Sequence, residues 1–252
     1  TIIKSRILKK TTEGVKLLND YYQSNSGKIG DHSNLNGYGI SNTANVESYT
    51  SYYPFYENQF SLLQNFLFGT KGYASTKVAA RGMIITTFDI VRKLVKEDEL
   101  YNTVTGWQIA REANNQPDIR LSSRYNAAEK VLEDNAINGR KLLETINFLS
   151  ESEVVKTSVL NIAKAYFNNA DDVIKKQNEI KEALQILVDA KIVIESDNAF
   201  KITSDVEQKI LDEMNSYAVQ GYLKKGRLID YYKKAFHKNI FFCLLFSSLS
   251  SP

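Results

Sequence analysis

The sequence predicts a mainly helical chain with one small β-hairpin. Apolar residues recur at three- and four-residue steps through most of the chain, and only the segment 192–203 switches to short branched runs around a turn. Just three prolines interrupt 252 residues, and 43% hydrophobic content supplies a sizeable core. A length of this order fits one large domain or two ordinary ones, and two are expected.

Residues 13–23 place Val15, Leu18 and Tyr22 at helical spacing, whereas residues 24–48 are dominated by Ser, Asn, Gly and Thr and read as a polar loop, a tolerated insertion. Tyr49, Tyr52, Tyr53, Phe55, Tyr56 and Phe60 then crowd around Pro54 and lead into a helix through Leu63 and Phe66. Such rings can stack on unpaired bases, but adjacent rings at a helix entry more often form core, which is the expectation here. From Thr76 a helix is predicted with Ile84, Phe88, Val91 and Val95 as its apolar stripe, ending at the acidic run 97–99. Helical patterns follow through Trp107 and Ala110 and through Tyr125, Ala128 and Leu132, with Pro117 breaking them apart.

The second half changes character. Leu142, Leu143, Ile146 and Leu149 stripe one helix, a short branched segment spans 154–157, and Val159, Leu160, Ala163 and Phe167 stripe the next. A third helix from about Asp171 carries Val173, Ile180, Leu184, Leu187 and Val188 inward. Ile192, Val193 and Ile194 form a strand, 196–198 has turn chemistry and 200–203 returns. Ser204 and Glu207 form a capping box for a last helix with Val206, Ile210 and Met214 on its apolar face. Helix, short strand, helix, helix, hairpin, helix is the order of the winged-helix variant of helix-turn-helix. The expected organisation is a helical domain over 1–139 with the loop at 24–48, a winged-helix domain over 140–216, a basic amphipathic helix over 217–239, and an apolar, Ser-rich tail over 240–252. That tail reads equally as a docking segment or as the end of a truncated reading frame.

No complete active site is visible. A phosphate-binding loop needs Gly-x-x-x-x-Gly-Lys followed by Ser or Thr, and neither Gly27-Lys28-Ile29 nor Gly69-Thr70-Lys71-Gly72 meets it. His32 in the expected loop, His237 near the tail and Cys243 in an apolar run form no metal-binding or nucleophilic set. The chain alone is therefore expected not to be an enzyme, and neither metal nor cofactor is expected. A single cysteine permits no internal disulfide and fits a reducing compartment, so a cytoplasmic location is expected. The longest apolar run, 240–246, is far short of the roughly 18 residues of a membrane span.

Charge bears on what the winged helix binds. Residues 140–215 hold ten basic and fourteen acidic side chains, a net −4, although the whole chain is +3. On the third helix Lys175, Lys176, Lys181 and Lys191 face Asp171, Asp172, Glu179, Glu182 and Asp189, and the wing offers Lys201 against Glu195 and Asp197. A groove-reading surface is not expected to be acidic, so protein partners are favoured over DNA. DNA stays the alternative through the helix 217–239, where Lys224, Lys225, Arg227, Lys233 and Lys234 oppose only Asp230; the same helix reads equally as an amphipathic one with these charges on its solvated face and Leu223, Ile229 and Tyr232 buried.

The stretch Tyr53-Pro54-Phe55-Tyr56-Glu57-Asn58-Gln59-Phe60-Ser61-Leu62-Leu63-Gln64, together with Arg81-Gly82-Met83-Ile84, resembles the region after the nucleotide-binding core of large P-loop ATPases in BREX phage-defence systems, the BrxC-like proteins. Residues 200–208, Phe-Lys-Ile-Thr-Ser-Asp-Val-Glu-Gln, are similar to the end of that family's winged-helix region. The resemblance implies an AAA+ type lid over 1–139, ATP as the cofactor of the parent protein, its own ATPase domain as a partner, and a role in phage restriction. It also implies that Arg81, in the opening turns of its helix, reaches nucleotide phosphates supplied by a core preceding Thr1.

Overall fold

The structure, a computed structural model, describes residues 2–37, 40, 43, 45–71, 76–97, 100–114, 116–216 and 225–229. As expected, the fold is mainly α with one two-stranded hairpin. The chain divides into two compact units, Thr1–Asp205 and Val206–Pro252.

A short π-helical turn, Ile3–Ile7, opens the first unit. It is followed by α1 (Thr12–Ser33), α2 (Val46–Tyr52), α3 (Glu57–Lys71), α4 (Thr76–Glu97), α5 (Gly106–Ala113) and α6 (Ile119–Val131). Side-chain caps fix most starts: Thr11 accepts from Gly14, Asn45 from Ser48 and Asp118 from Leu121, while Thr105 and Gln108 form a reciprocal capping box.

The polar loop expected at 24–48 is narrower than its composition suggests. Helix α1 continues to Ser33 through a kink at Asn25, whose side-chain amide donates to the Tyr21 carbonyl. Ile29 and His32, both buried, extend the stripe begun by Leu18 and Tyr22. Tertiary burial thereby outweighs the poor helix propensity of the Ser, Asn and Gly residues around them.

The aromatic segment is core, as expected. Tyr49, Phe55 and Tyr56 are buried, and Phe55, Phe60 and Tyr52 form a tilted ring series. The stripe of α4 differs from expectation: Phe88 is 53% exposed, and Ala79, Thr86, Thr87 and Ile90 are the buried positions, with Met83, Val91 and Leu94 beside them. A pattern that counts Thr as polar misses this phase. The Thr87 hydroxyl donates to the Met83 carbonyl at 2.7 Å, so its polar atom is satisfied within the helix and its methyl joins the core.

Helix α7 (Gly139–Ser152) is the centre of the first unit and packs against α3, α5, α6 and α8 (Val159–Tyr166). Leu142, Leu143, Ile146 and Leu149 are all fully buried, as their spacing predicts. The boundary expected at 139/140 therefore falls inside one packed unit, whose hydrophobic core runs without a break from Leu8 to Phe200. Gly139 makes the closest approach: a Cβ there would collide with the Ala128 carbonyl of α6.

Helix α9 (Ala170–Asp189) leads into β1 (Val193–Ser196) and β2 (Ala199–Ile202), paired antiparallel with Val193 opposite Ile202. Asp197 and Asn198 both take positive φ, 52° and 56°, the two-residue turn that matches strand twist. The branched segment 154–157 holds the hairpin in place. The Phe200 amide donates to the Thr157 carbonyl at 3.0 Å and the Thr157 hydroxyl returns to the Phe200 carbonyl at 2.6 Å. Two residues earlier, Val155 bridges antiparallel to Gly37, where any side chain would strike the Val154 carbonyl.

The final helix, α10 (Asp205–Ser216), starts directly after Ser204, as the capping pattern predicts. Its expected apolar face is exposed: Val206 at 67%, Ile210 at 49% and Met214 at 67%.

Candidate protein and nucleic-acid interface

In a helix-turn-helix the N-terminal residues of the recognition helix meet the base edges. By element order that helix is α9. Its inner face is fixed by Val173, Ile180, Ala183, Leu184 and Leu187, all buried, and its start by Asn169, which accepts from the Asp172 amide at 2.8 Å. The leading end is partly engaged. Helix α1 packs on it, and Lys28 donates to the Asp171 carboxylate at 2.8 Å. That hydrogen bond, with the attraction between the charges, raises the Lys28 pKa and lowers that of Asp171. Beside the pair, Tyr21 of α1 stacks flat on Tyr101 with ring centres 4.0 Å apart.

What α9 leaves outward is mixed in character. Lys175 and Lys181 are exposed beside Glu182 and Asp189, and Ile174 is 68% and Ile186 38% exposed between them. The exposed wing presents Glu195, Asp197 and Lys201. Alternating charges with exposed branched residues suit protein contact better than phosphate, which asks for a basic face.

Arg81 is exposed on α4 and makes no ion pair among the described residues. One and two turns on lie Ile85 and Phe88, both more than half exposed. Arg81 is thus placed beside an open apolar surface in the first unit. Of the basic helix expected at 217–239, residues 225–229 are described and helical; Lys225 and Arg227 are exposed there. Ile229, expected to be buried, is 45% exposed. Lys224, Lys233 and Lys234, and with them Leu223, Tyr232, His237, Cys243 and the tail 240–252, lie outside the described residues. Of the five basic residues, Lys225 and Arg227 are thus the ones the structure places.

Two buried polar networks escaped the sequence reading. His32, expected in a loop, lies in the last turn of α1 at 3% exposure. Its Nε2–H donates to the Lys164 carbonyl and its Nδ1 accepts from the Tyr56 hydroxyl, each at 2.9 Å. Burial pushes its pKa down to about 4, keeping the ring neutral, and likewise raises that of the Tyr56 phenol. Lys164, also buried, donates to the Asp31 and Asn34 carbonyls and the Asp31 carboxylate, closing the C-terminus of α1. Asn161 of the same helix bonds both the amide and the carbonyl of Asn36. These contacts join α1 to α8 across more than 120 residues of sequence, a distance over which local patterns carry no signal.

The second network centres on Glu144 of α7, 3% exposed, whose carboxylate receives Arg111 at 3.2 and 2.6 Å and Arg140 at 3.2 Å. Its only sequence trace is the i, i+4 spacing of Arg140 and Glu144. Arg111 and Lys141 both lie over the ring of the half-buried Trp107. These side chains lock helices together. No group of three or more metal-ligating side chains occurs among the described residues, and no described helix is long and apolar enough to cross a membrane.

Comparison of the chain with protein-family models, with curated proteins and with solved structures found no match in any of the three.

Proposed function

We propose that this chain is a non-catalytic regulatory and interaction region of a larger bacterial ATPase, of the BrxC-like kind that serves BREX phage defence, and that its winged-helix part docks proteins. The observation that supports the docking reading best is the engaged start of α9. With α1 packed there and Lys28 bound to Asp171 in an exposed ion pair, the end of the helix that leads into a DNA groove is already engaged within the fold. The net −4 of residues 140–215 and the exposed Ile174 and Ile186 favour the same partner class. The ATPase assignment rests on the likeness of residues 53–64, 81–84 and 200–208 to that family.

In the parent protein, ATP is held by a preceding domain and Arg81 approaches its phosphates, where a guanidinium stabilises charge on the transferred group. The reading frame upstream of Thr1 then encodes a phosphate-binding loop, and that domain, made separately, forms a complex with this chain in sedimentation velocity. A frame without such a loop, or two parts that sediment independently, refutes the assignment. Duplex DNA bound through 217–239 is the second reading, favoured by the exposure of Lys225 and Arg227.

A further inference from the structure

A polar cavity of about 550 Å³ opens between the start of α6, the end of α7 and the strand β2 with the residues after it. That volume lies within the roughly 300–1,000 Å³ common for small-molecule sites. Its lining includes Arg120 and Arg124 of α6, Asn147 and Glu151 of α7, and Lys201 of β2. None of these residues belongs to the interface described above except Lys201, at the edge of the wing.

The lining carries three cationic side chains, Arg120, Arg124 and Lys201. Arg120 and Lys201 are exposed and form no ion pair among the described residues. The backbone amides that open α6 add to the positive end of a thirteen-residue helix. Arg124, its side chain only 12% exposed, is paired at 3.2 Å with Asp205, an exposed carboxylate that a ligand anion can replace.

Two carboxylates, of Asp118 and Glu151, also line the cavity. Asp118 holds the Leu121 amide at 2.7 Å as the cap of α6. The Glu151 carboxylate lies beside Gly69 of α3, 3.7 Å from where a Cβ at that glycine would stand. Three cationic side chains thus line, from one helix and one strand, a space of small-molecule size.

We propose that this cavity binds a phosphorylated small molecule through its phosphate oxygens. Arg120, Arg124 and Lys201 hold the phosphate. Arg124 exchanges its bond to Asp205 for one to the ligand, so Asp205 competes with the phosphate for the site.

Isothermal titration of the intact chain with pyrophosphate, with ATP, and with a short single-stranded oligonucleotide carrying or lacking a 5′-phosphate tests the proposal. Pyrophosphate and ATP are expected to bind. Arg120→Gln and Lys201→Gln, at exposed positions that leave the thermal transition unchanged, each weaken binding roughly tenfold, as the loss of one charge-assisted contact does. Asp205→Asn removes the competing carboxylate and tightens binding severalfold. Binding of the oligonucleotide only when it bears the 5′-phosphate supports the same chemistry with a nucleic-acid end as the source. Absence of binding by all probes at millimolar concentration overturns the proposal, as does binding indifferent to both the Arg120 and Lys201 substitutions. Tighter binding to the wild-type chain than to Asp205→Asn would overturn the competition by Asp205.

Discussion

Acidification should destabilise the first unit through His32. The ring is buried, donates one hydrogen bond and accepts another, and has no room for a second proton on Nδ1 while Tyr56 donates to it. Its folded pKa lies near 4, against 6.5 for the free side chain, with burial the main cause and the nearby Lys164 and Asp31 charges acting in opposite senses. A folded pKa below the unfolded one means that the unfolded chain takes up the proton first. The stabilisation is therefore complete above about pH 6.5, is lost as pH falls, and stops changing near pH 4. Between about pH 7 and pH 5 the difference amounts to ~2 kcal/mol, a large part of the stability of an ordinary domain. Urea unfolding of the wild type and of His32→Gln at a series of pH values measures it. Carboxylates titrate in both proteins and cancel in the comparison, so the variant should lose about 2 kcal/mol less than the wild type over that interval. Equal losses would refute the buried, neutral histidine.

Other perturbations follow from the same packing. Glu144→Gln removes the buried carboxylate that joins Arg111 of α5 to Arg140 of α7 and should cost about 2–3 kcal/mol in denaturant unfolding, less than a fully buried pair because both arginines are partly solvated. Gly139→Ala forces α7 away from the Ala128 carbonyl of α6 and should lower stability by about 1–3 kcal/mol, seen as a lower thermal midpoint. Ile174→Ser, at 68% exposure on α9, should leave the thermal midpoint unchanged while weakening any protein complex formed through that helix, measured by sedimentation velocity.

What the sequence made legible depended on how local the determining interactions are. Helix α7 could be placed from Leu142, Leu143, Ile146 and Leu149 because those positions are apolar and lie one turn apart on a helix with a buried side. The hairpin could be placed because Asp197 and Asn198 are residues that tolerate a left-handed backbone. The extension of α1 was not legible, since its polar residues become helical only when Ile29 and His32 find partners elsewhere in the fold. The α4 stripe was placed on the wrong phase because Thr86 and Thr87 behave there as core residues. The unity of the first unit was hidden as well: its ties run from Asn161 and Lys164 of α8 back to residues 31–36. For the candidate interface, the residue types on α9 could be counted, but the covering of its start by Lys28 comes from a segment that reads as a loop. The donor-rich cavity draws on α6, α7 and β2, whose charges are separated by up to 81 residues and form no motif.

The most direct test of the interaction reading is the binding of a labelled DNA duplex to the intact chain by fluorescence anisotropy across a salt series. If the start of α9 is held by α1, binding at physiological salt is weak and Lys175→Glu or Lys181→Glu does not change it. Tight binding with a steep salt slope, lost in either substitution, would contradict a winged helix turned toward protein.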